Sequence, residues 1–265
     1  MFDVLKTKAN IAYHRSKFKK EAPKLNLADE FKSVFQELEQ NGVVAISDFF
    51  TKEECIAYRN EIDELLVKYE GKYWVDDVAS DHRIYGAEKV SDLIAKYGFN
   101  QKLQSVGENY LKTELKLTMC LAAKLVFKEN NKGSGGGWHR DSVNMNEFKA
   151  ILYLSDVKEA NGPFTYLLGS HNDQNVVDSI RDCGVKYNQL RLSENEVSII
   201  ENKFKLKKTT FTAKAGTLIL VDTRGIHIGS PIKEGTRYAL TNYYSPLAIY
   251  DKMMEHSSKV IIKND

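Results

Sequence analysis

A histidine and an aspartate two positions apart, followed by a second histidine far along the chain, most constrain how this sequence can fold. His139 and Asp141 end the glycine-rich stretch Gly133 to Asp141. Side chains at positions i and i+2 of an extended segment lie on the same side, so one strand end can direct both toward a single ion. His227 follows roughly ninety residues later, just after an apolar run that predicts a buried strand. A fold that joins these groups must bring distant strand ends together.

The three side chains match the ligand set of a non-haem iron site. Two imidazoles and one carboxylate occupy one face of the metal and leave its other positions open for small molecules. Arg237 follows in a second alternating strand pattern, and only a guanidinium offers a planar fork for a carboxylate. The sequence therefore predicts a catalytic centre with metal ligands His139, Asp141 and His227, and a dicarboxylic cosubstrate bound by Arg237.

With these residues in place, the chain resembles the phytanoyl-CoA dioxygenase (PhyH) family of Fe(II)- and 2-oxoglutarate-dependent oxygenases. The matching segments occur in the family's order between Gln40 and Tyr244: Asn41 to Asp48, Trp138 to Asp141, Asn161 to His171, His227 to Pro231, and Arg237 to Leu240. The resemblance implies Fe(II), with 2-oxoglutarate and dioxygen as cosubstrates. It also implies that His171 is not a ligand.

Short strand patterns between turn signals favour the fold that the resemblance implies. They occur at 43–46, 117–128, 149–154, 164–168 and 211–214, with further runs before His227 and around Arg237, and they follow a helical N-terminal region. We predict an α+β, mainly β protein. Its core is a double-stranded β-helix of the jelly-roll, cupin-like type, a barrel with N-terminal and flanking helices.

A single catalytic domain spanning residues 1–265 is the expected organisation, because this length lies at the upper end for one domain. Residues 1–40 predict a basic arm and an amphipathic helix, which Asn41 and Gly42 end. Residues 172–208 interrupt the strand pattern with charged, amphipathic sequence and predict an insertion over one mouth of the barrel. Residues 245–265 predict a helical C-terminal tail.

Composition limits the partners that this chain can have. The 38 basic and 36 acidic residues leave a net charge of only +2, so phosphate contacts to nucleic acid are not expected and a small-molecule substrate is. We find no apolar run near the ~18 residues that span a bilayer and no apolar block of a signal peptide. The odd number of cysteines, Cys55, Cys120 and Cys183, fits reduced thiols and a cytoplasmic location. The oligomeric state stays open.

Three further residues are candidates for cosubstrate binding. Lys124 shares the parity of apolar residues in its strand pattern, which an anion would explain; a lysine extending from an edge strand to water is the alternative. Tyr153 and Thr165 lie on predicted inner strands, where packing alone also explains an aromatic and a β-branched residue.

Substrate contacts are expected from an irregular stretch and from a strand end. Residues 71–90 mix aromatic and charged residues without a period, as substrate-contacting loops do, although a plain surface loop explains them equally well. The candidates there are Trp74, Arg83 and Tyr85. Arg224 stands between a buried strand and His227, so it either faces an acidic substrate or forms a local salt bridge.

The family resemblance implies hydroxylation of an unactivated carbon, with 2-oxoglutarate converted to succinate and carbon dioxide. Asp141 favours this outcome because related halogenases carry a small residue there, whereas desaturation and ring closure stay open. Without a long apolar lid, the sequence favours a small polar metabolite, sugar-linked or amino-acid-derived. The alternatives are an acyl-CoA hydroxylase, a catalytically silent metal-binding regulatory module, and a divalent-metal hydrolase or isomerase.

Overall fold

The computed structural model describes residues 2–19 and 31–257. Within these residues the helices are α1 (Phe2–Lys19), α2 (Lys32–Asn41), α3 (Lys52–Lys68), α4 (Asp92–Gly98), α5 (Gln101–Leu111), α6 (Asp173–Asp182), α7 (Glu194–Phe204) and α8 (Tyr250–Ser257). The strands are β1 (Val43–Ile46), β2 (Trp74–Val75), β3 (Asp81–Tyr85), β4 (Leu115–Val126), β5 (Phe148–Tyr153), β6 (Phe164–Leu167), β7 (Lys208–Phe211), β8 (Leu218–Asp222), β9 (His227–Gly229) and β10 (Thr236–Pro246). None of the described helices is long and apolar enough to cross a bilayer.

The strands form two antiparallel sheets that pack against each other. The larger sheet has the order β1-β8-β5-β10-β4-β3-β2, and the smaller one has the order β7-β6-β9. Apolar side chains of both sheets, among them Tyr153, Phe164 and Ile219, form a shared core. The predicted jelly-roll with flanking helices is confirmed, although the described strands form two facing sheets and not a closed barrel.

Strand alternation decides which residues of the larger sheet face the smaller one. On β5, Phe148, Ala150 and Leu152 pack into the core that helices α2 to α5 cover. The residues between them point to the opposite face, toward the smaller sheet. Since Ala239 of β10 pairs with Tyr153 of β5, the inward-facing residues of these two central strands form continuous rows.

The chain ends and one internal segment differ in detail from the sequence predictions. Most of the predicted basic arm is helix α1, which lies against α6: Asn10 donates to the Tyr187 hydroxyl at 2.6 Å and Arg15 pairs with Asp173 at 2.8 Å. Residues 71–90 are more regular than expected, because they contain β2 and β3. Strand β10 continues through Pro246, so the tail's helix begins only at Tyr250. Residues 20–30 and 258–265 lie outside the described residues.

Gly42 ends helix α2 where the sequence predicted a stop. Its φ of 79° lies in the left-handed region, and its N–H donates to the Leu38 carbonyl at 2.9 Å. A Cβ at this position would meet the Tyr166 hydroxyl and the His171 ring at 2.4 Å. The glycine is therefore required both by the backbone and by close packing.

Replacing Gly42 by alanine should destabilise the fold more than the same change at Gly71. Gly71 has a similar φ of 76° but no atom within 4 Å of the added Cβ, so Gly71→Ala should cost about 1–2 kcal/mol from the backbone alone. Gly42→Ala should lose about 1–3 kcal/mol more, because the methyl group overpacks the core. Urea unfolding of both variants measures the difference, and equal losses would contradict the packing argument.

Candidate metal centre

His139, Asp141 and His227 converge on one point. The backbone of His139 pairs with that of His227, each N–H donating to the other's carbonyl, at 2.9 and 2.8 Å. Directly opposed residues on antiparallel strands place their side chains together, and the two imidazole centroids lie 4.2 Å apart. Each Nε2 is 3.9 Å from one carboxylate oxygen of Asp141. The possible ligand atoms all lie within 4.8 Å of one another, so one ion could bind all three.

Hydrogen bonds fix the tautomer of both imidazoles. Nδ1 of His139 lies 2.9 Å from the Gly137 carbonyl, and Nδ1 of His227 lies 2.9 Å from the Gly225 carbonyl. A carbonyl only accepts, so each Nδ1 carries the proton and each Nε2 keeps a lone pair for a metal. Burial lowers the pKa of His139, and burial together with the neighbouring His139 lowers the pKa of His227 to about 3. Both rings are therefore neutral at physiological pH.

Lys149 of β5 holds the carboxylate of Asp141. Its Nζ donates to Oδ2 at 2.6 Å and lies 4.0 Å from the centre of the Tyr243 ring. Burial opposes ionisation of Asp141, but the charge and hydrogen bond of Lys149 outweigh it and hold the pKa of Asp141 below its usual range. The sequence reasoning missed Lys149. Lys149 and Tyr153 are four residues apart in the predicted strand, so alternation places them on the same face. This spacing was the signal that could have identified Lys149.

Arg237 lies in the same cavity as the three candidate ligands. The residue is buried on β10, and burial lowers the pKa of its guanidinium, which still stays charged. Its Nε is buried and finds no hydrogen-bond partner among the described residues. A buried cation with an unsatisfied donor is the arrangement that a bound carboxylate would complete.

Of the other predicted cosubstrate residues, only Tyr153 lines this cavity. Its hydroxyl accepts from the Phe164 N–H at 2.8 Å and donates to the Phe211 carbonyl at 3.3 Å, so it joins the two sheets. Lys124 lies on the outer face of the larger sheet and donates to Asp63 at 2.7 Å. Alternation along β4 thus turns Lys124 away from the cavity, and it pairs with Asp63 and not with the predicted cosubstrate.

Thr165 is likewise not brought to the cavity. Its neighbour Phe164 lines the cavity, so alternation along β6 turns Thr165 to the other face of the smaller sheet. There its hydroxyl lies 3.0 Å from that of Thr210. Thr165 therefore contributes to the packing of β6 on β7.

The three substrate candidates at 74–85 form one cluster, of which Arg83 lines the cavity. Arg83 donates twice to Asp81, at 2.9 and 2.5 Å, and also to the Ser134 hydroxyl at 2.8 Å and the Tyr85 hydroxyl at 3.3 Å. Its guanidinium lies 4.9 Å from the Trp74 ring centre. Trp74 and Tyr85 therefore contact Arg83, and neither of them lines the cavity.

Arg224 points away from the cavity. Its side chain is fully buried, donates to Asp173 at 2.6 Å and to the Val143 carbonyl at 3.1 Å, and so forms the local salt bridge that was one of the two expectations. Thr223, one residue earlier, lines the cavity instead.

The cavity at the metal centre lies between the two sheets and has a volume of about 270 Å³. One wall comes from the predicted insertion, because Arg191 borders the cavity and its backbone pairs with His139. No local pattern in the sequence pointed to Arg191, because this pairing joins distant segments. A larger cavity of about 610 Å³ lies between α1, α5 and α6, and none of the three candidate ligands lines it.

The donor set fits an Fe(II) centre with a dicarboxylic cosubstrate. Two neutral imidazole nitrogens and one ionised carboxylate converge, as the facial triad of non-haem iron oxygenases requires. Arg237 supplies a buried N–H donor without a partner, which could donate to a second carboxylate.

A model of the phytanoyl-CoA dioxygenase (PhyH) family matches residues 38–233. The chain belongs to this family. The family predicted from the sequence is therefore confirmed, and with it the class of iron- and 2-oxoglutarate-dependent oxygenases. Among curated protein sequences, none matches this PhyH protein significantly.

Solved structures confirm the fold of this PhyH protein. The alpha-ketoglutarate-dependent epimerase SnoN from nogalamycin biosynthesis is 17% identical with a TM-score of 0.61, over 82% of this chain and 83% of that one. EctD from S. alaskensis with bound Fe is 16% identical with a TM-score of 0.63, over 82% and 77%. HygX from Streptomyces hygroscopicus, with nickel, 2-oxoglutarate and hygromycin B bound, is 16% identical with a TM-score of 0.58, over 82% and 87%.

The low pKa of His227 should make the metal-free PhyH protein less stable as the pH falls. An unfolded histidine takes up its proton near pH 6.5, whereas folded His227 does so only near pH 3. Between these values the unfolded state binds more protons, so stability decreases toward acid. The His227→Gln variant lacks this loss, and its stability relative to wild type should rise by about 2–3 kcal/mol between pH 6.5 and 4.5. Urea unfolding with chelator present measures this, and a constant difference would contradict a neutral, buried His227.

Proposed function

We propose that this protein hydroxylates an unactivated carbon of a small polar metabolite, with His139, Asp141 and His227 holding Fe(II) and Arg237 binding the distal carboxylate of 2-oxoglutarate. One observation carries the proposal. The three ligands and the incompletely paired Arg237 border the same cavity between the two sheets. SnoN and HygX, which share the fold, were solved with alpha-ketoglutarate or 2-oxoglutarate and a metal bound.

When bound, iron with 2-oxoglutarate and dioxygen supplies the oxidant, and succinate and carbon dioxide are released. The chain's own residues prepare the site for this chemistry. The Gly137 and Gly225 carbonyls keep each Nε2 deprotonated, and Lys149 engages one oxygen of Asp141, so the other oxygen is left for the metal. These contacts orient the ligands before the metal binds.

Apolar residues form part of the cavity lining. Leu121 and Ile151 of the larger sheet and Phe164 of the smaller one line the cavity alongside the polar groups. A partly apolar lining strengthens the electrostatic contacts inside and limits side reactions of the oxidant with solvent.

Cavity size supports a small substrate. The volume of about 270 Å³ lies below the roughly 300–1,000 Å³ of most ligand sites, and 2-oxoglutarate must share it. A long fatty-acyl chain would need more enclosed apolar space, which supports the small polar metabolite over an acyl-CoA.

We also propose one catalytic domain in which the insertion at 172–208 forms a wall of the substrate site, as Arg191 does beside His139. A cytoplasmic location is supported by Cys55, Cys120 and Cys183, which are all buried and free.

Removing the carboxylate of Asp141 should abolish both binding and turnover. Asp141→Ala should weaken the binding of Fe(II) by more than about 100-fold and stop oxygen-dependent succinate formation, because one of three ligands is lost. Anaerobic titration with Fe(II) and 2-oxoglutarate measures the first effect, and succinate assays in air measure the second. Asp251→Ala, at an exposed aspartate of α8, is the control. Succinate formation by the Asp141→Ala variant would rule out the proposed site, and zinc-supported activity without oxygen would indicate a hydrolase or isomerase.

Replacing Arg237 should weaken the cosubstrate and leave the metal in place. Arg237→Gln should raise the Kd of 2-oxoglutarate by about 30-fold or more, because a charge-assisted pair is lost from a buried site. Arg237→Lys should fall between this variant and wild type, since it keeps the charge without the fork. Calorimetric titration of the metal-loaded protein tests this. Unchanged 2-oxoglutarate affinity in Arg237→Gln, with Fe(II) affinity also unchanged, would assign the carboxylate to another residue.

A further inference from the structure

The cavity at the metal centre is strongly cationic. Its described lining contains four positively charged side chains, Arg83, Lys149, Arg191 and Arg237, and one carboxylate, that of Asp141. Outside the lining, buried Asp81 pairs with Arg83 and balances that charge. Fe(II) and 2-oxoglutarate carry opposite charges of equal size, so loading the site leaves this balance unchanged. A positive charge therefore remains for the substrate.

Three of the four cations already have a function in the loaded site. Lys149 holds Asp141 at 2.6 Å, Arg237 is aligned for the cosubstrate, and Arg83 is engaged by Asp81. Arg191 differs from them. Its side chain is exposed, and no carboxylate of the described residues pairs with it.

Arg191 is nonetheless held beside the metal ligands. Its backbone forms a bridge with His139, and its guanidinium donates to the carbonyls of Gly135 and Gly136, the latter at 3.4 Å. This loop lies directly on the ligand, since a Cβ on Gly135 would be 2.5 Å from Cε1 of His139. From the other side, Arg83 donates to the Ser134 hydroxyl of the same loop at 2.8 Å. Two guanidiniums thus border the cavity at this loop.

We propose that the substrate carries a carboxylate or phosphate group, which Arg191 binds at the cavity mouth while the reacting carbon lies near the metal. This proposal rests on the function proposed above and names the substrate class for that site. A charged oxygen ligand forms a stronger, bidentate contact with a guanidinium than the loop carbonyls do. Arg83, whose charge Asp81 balances, lines the same cavity and donates to Ser134 of the same loop.

Matched pairs of charged and neutral compounds test the proposal on the enzyme loaded anaerobically with Fe(II) and 2-oxoglutarate. The probes are small hydroxy and amino acids with their amides, and sugar phosphates with the free sugars, which separates a carboxylate from a phosphate. Calorimetry gives the Kd of each compound, and succinate formation in air shows which compounds are turned over. The variants are Arg191→Gln, Arg191→Lys and, as a control, Lys186→Gln, which removes an exposed charge from the same insertion away from the cavity.

The charged member of at least one pair should bind more than about tenfold tighter than its neutral partner. Arg191→Gln should weaken that charged compound by about 10–100-fold and leave the neutral one within about twofold, because one charge-assisted contact is lost. Arg191→Lys should lose less, and Lys186→Gln should match wild type. Thermal unfolding of each variant shows whether it is folded, and Arg191→Lys serves as the test if Arg191→Gln is not.

Neutral compounds that bind as tightly as the charged ones would overturn the proposal, as would an unchanged preference in the Arg191 variants. The titration of Fe(II) and 2-oxoglutarate on the same samples distinguishes failure of the anionic-substrate proposal from failure of the oxygenase assignment. If both bind and succinate forms, only the anionic substrate is excluded. If neither binds, the oxygenase assignment itself fails.

Discussion

The hydrogen-bonded pair formed by the backbones of His139 and His227 is the interaction on which the site depends. Two bonds of 2.9 and 2.8 Å join a segment after the glycine-rich loop to the end of the smaller sheet. The pairing sets the distance between the imidazoles and, through the two-residue spacing, aims Asp141 at the same point. It also leaves the loop so close to His139 that Gly135 has no room for a side chain. The spacing of the three candidate ligands thus follows from strand register.

The two facing sheets position charged side chains around the candidate metal ligands. Inward-facing positions of the larger sheet carry Lys149 on β5 and Arg237 on β10, which place one cation against the carboxylate of the candidate ligand Asp141 and another, incompletely paired, in the same cavity. Outward-facing positions of the same strands are mainly apolar and pack under the helices, and the polar one, Asn242, donates to the Tyr97 carbonyl. Burial gives these charges their effect, because a buried cation without a full set of partners favours an anionic ligand far more than an exposed one does.

The sequence predicted those residues whose positions depend on local alternation and failed where the sheet faces had to be known. The spacing of His139 and Asp141 and the strand patterns before His227 and around Arg237, together with the family resemblance, predicted the candidate ligands that converge in the structure and the jelly-roll fold. Lys124 and Lys149 both lie in alternating strands, but only pairing with neighbouring strands shows which one faces the cavity. Arg191 could not be found at all, because its backbone bridge to His139 and its side-chain hydrogen bonds to Gly135 and Gly136 all join segments far apart in the chain.

A crystal structure of the protein loaded anaerobically with Fe(II) and 2-oxoglutarate tests the central claim most directly. The iron should be bound by Nε2 of His139, Nε2 of His227 and one oxygen of Asp141, at about 2.0–2.2 Å as is usual for nitrogen and oxygen ligands. The other oxygen of Asp141 should still accept from Lys149. Iron bound elsewhere, or a metal held by fewer than these three side chains, would contradict the claim that strand register builds the site.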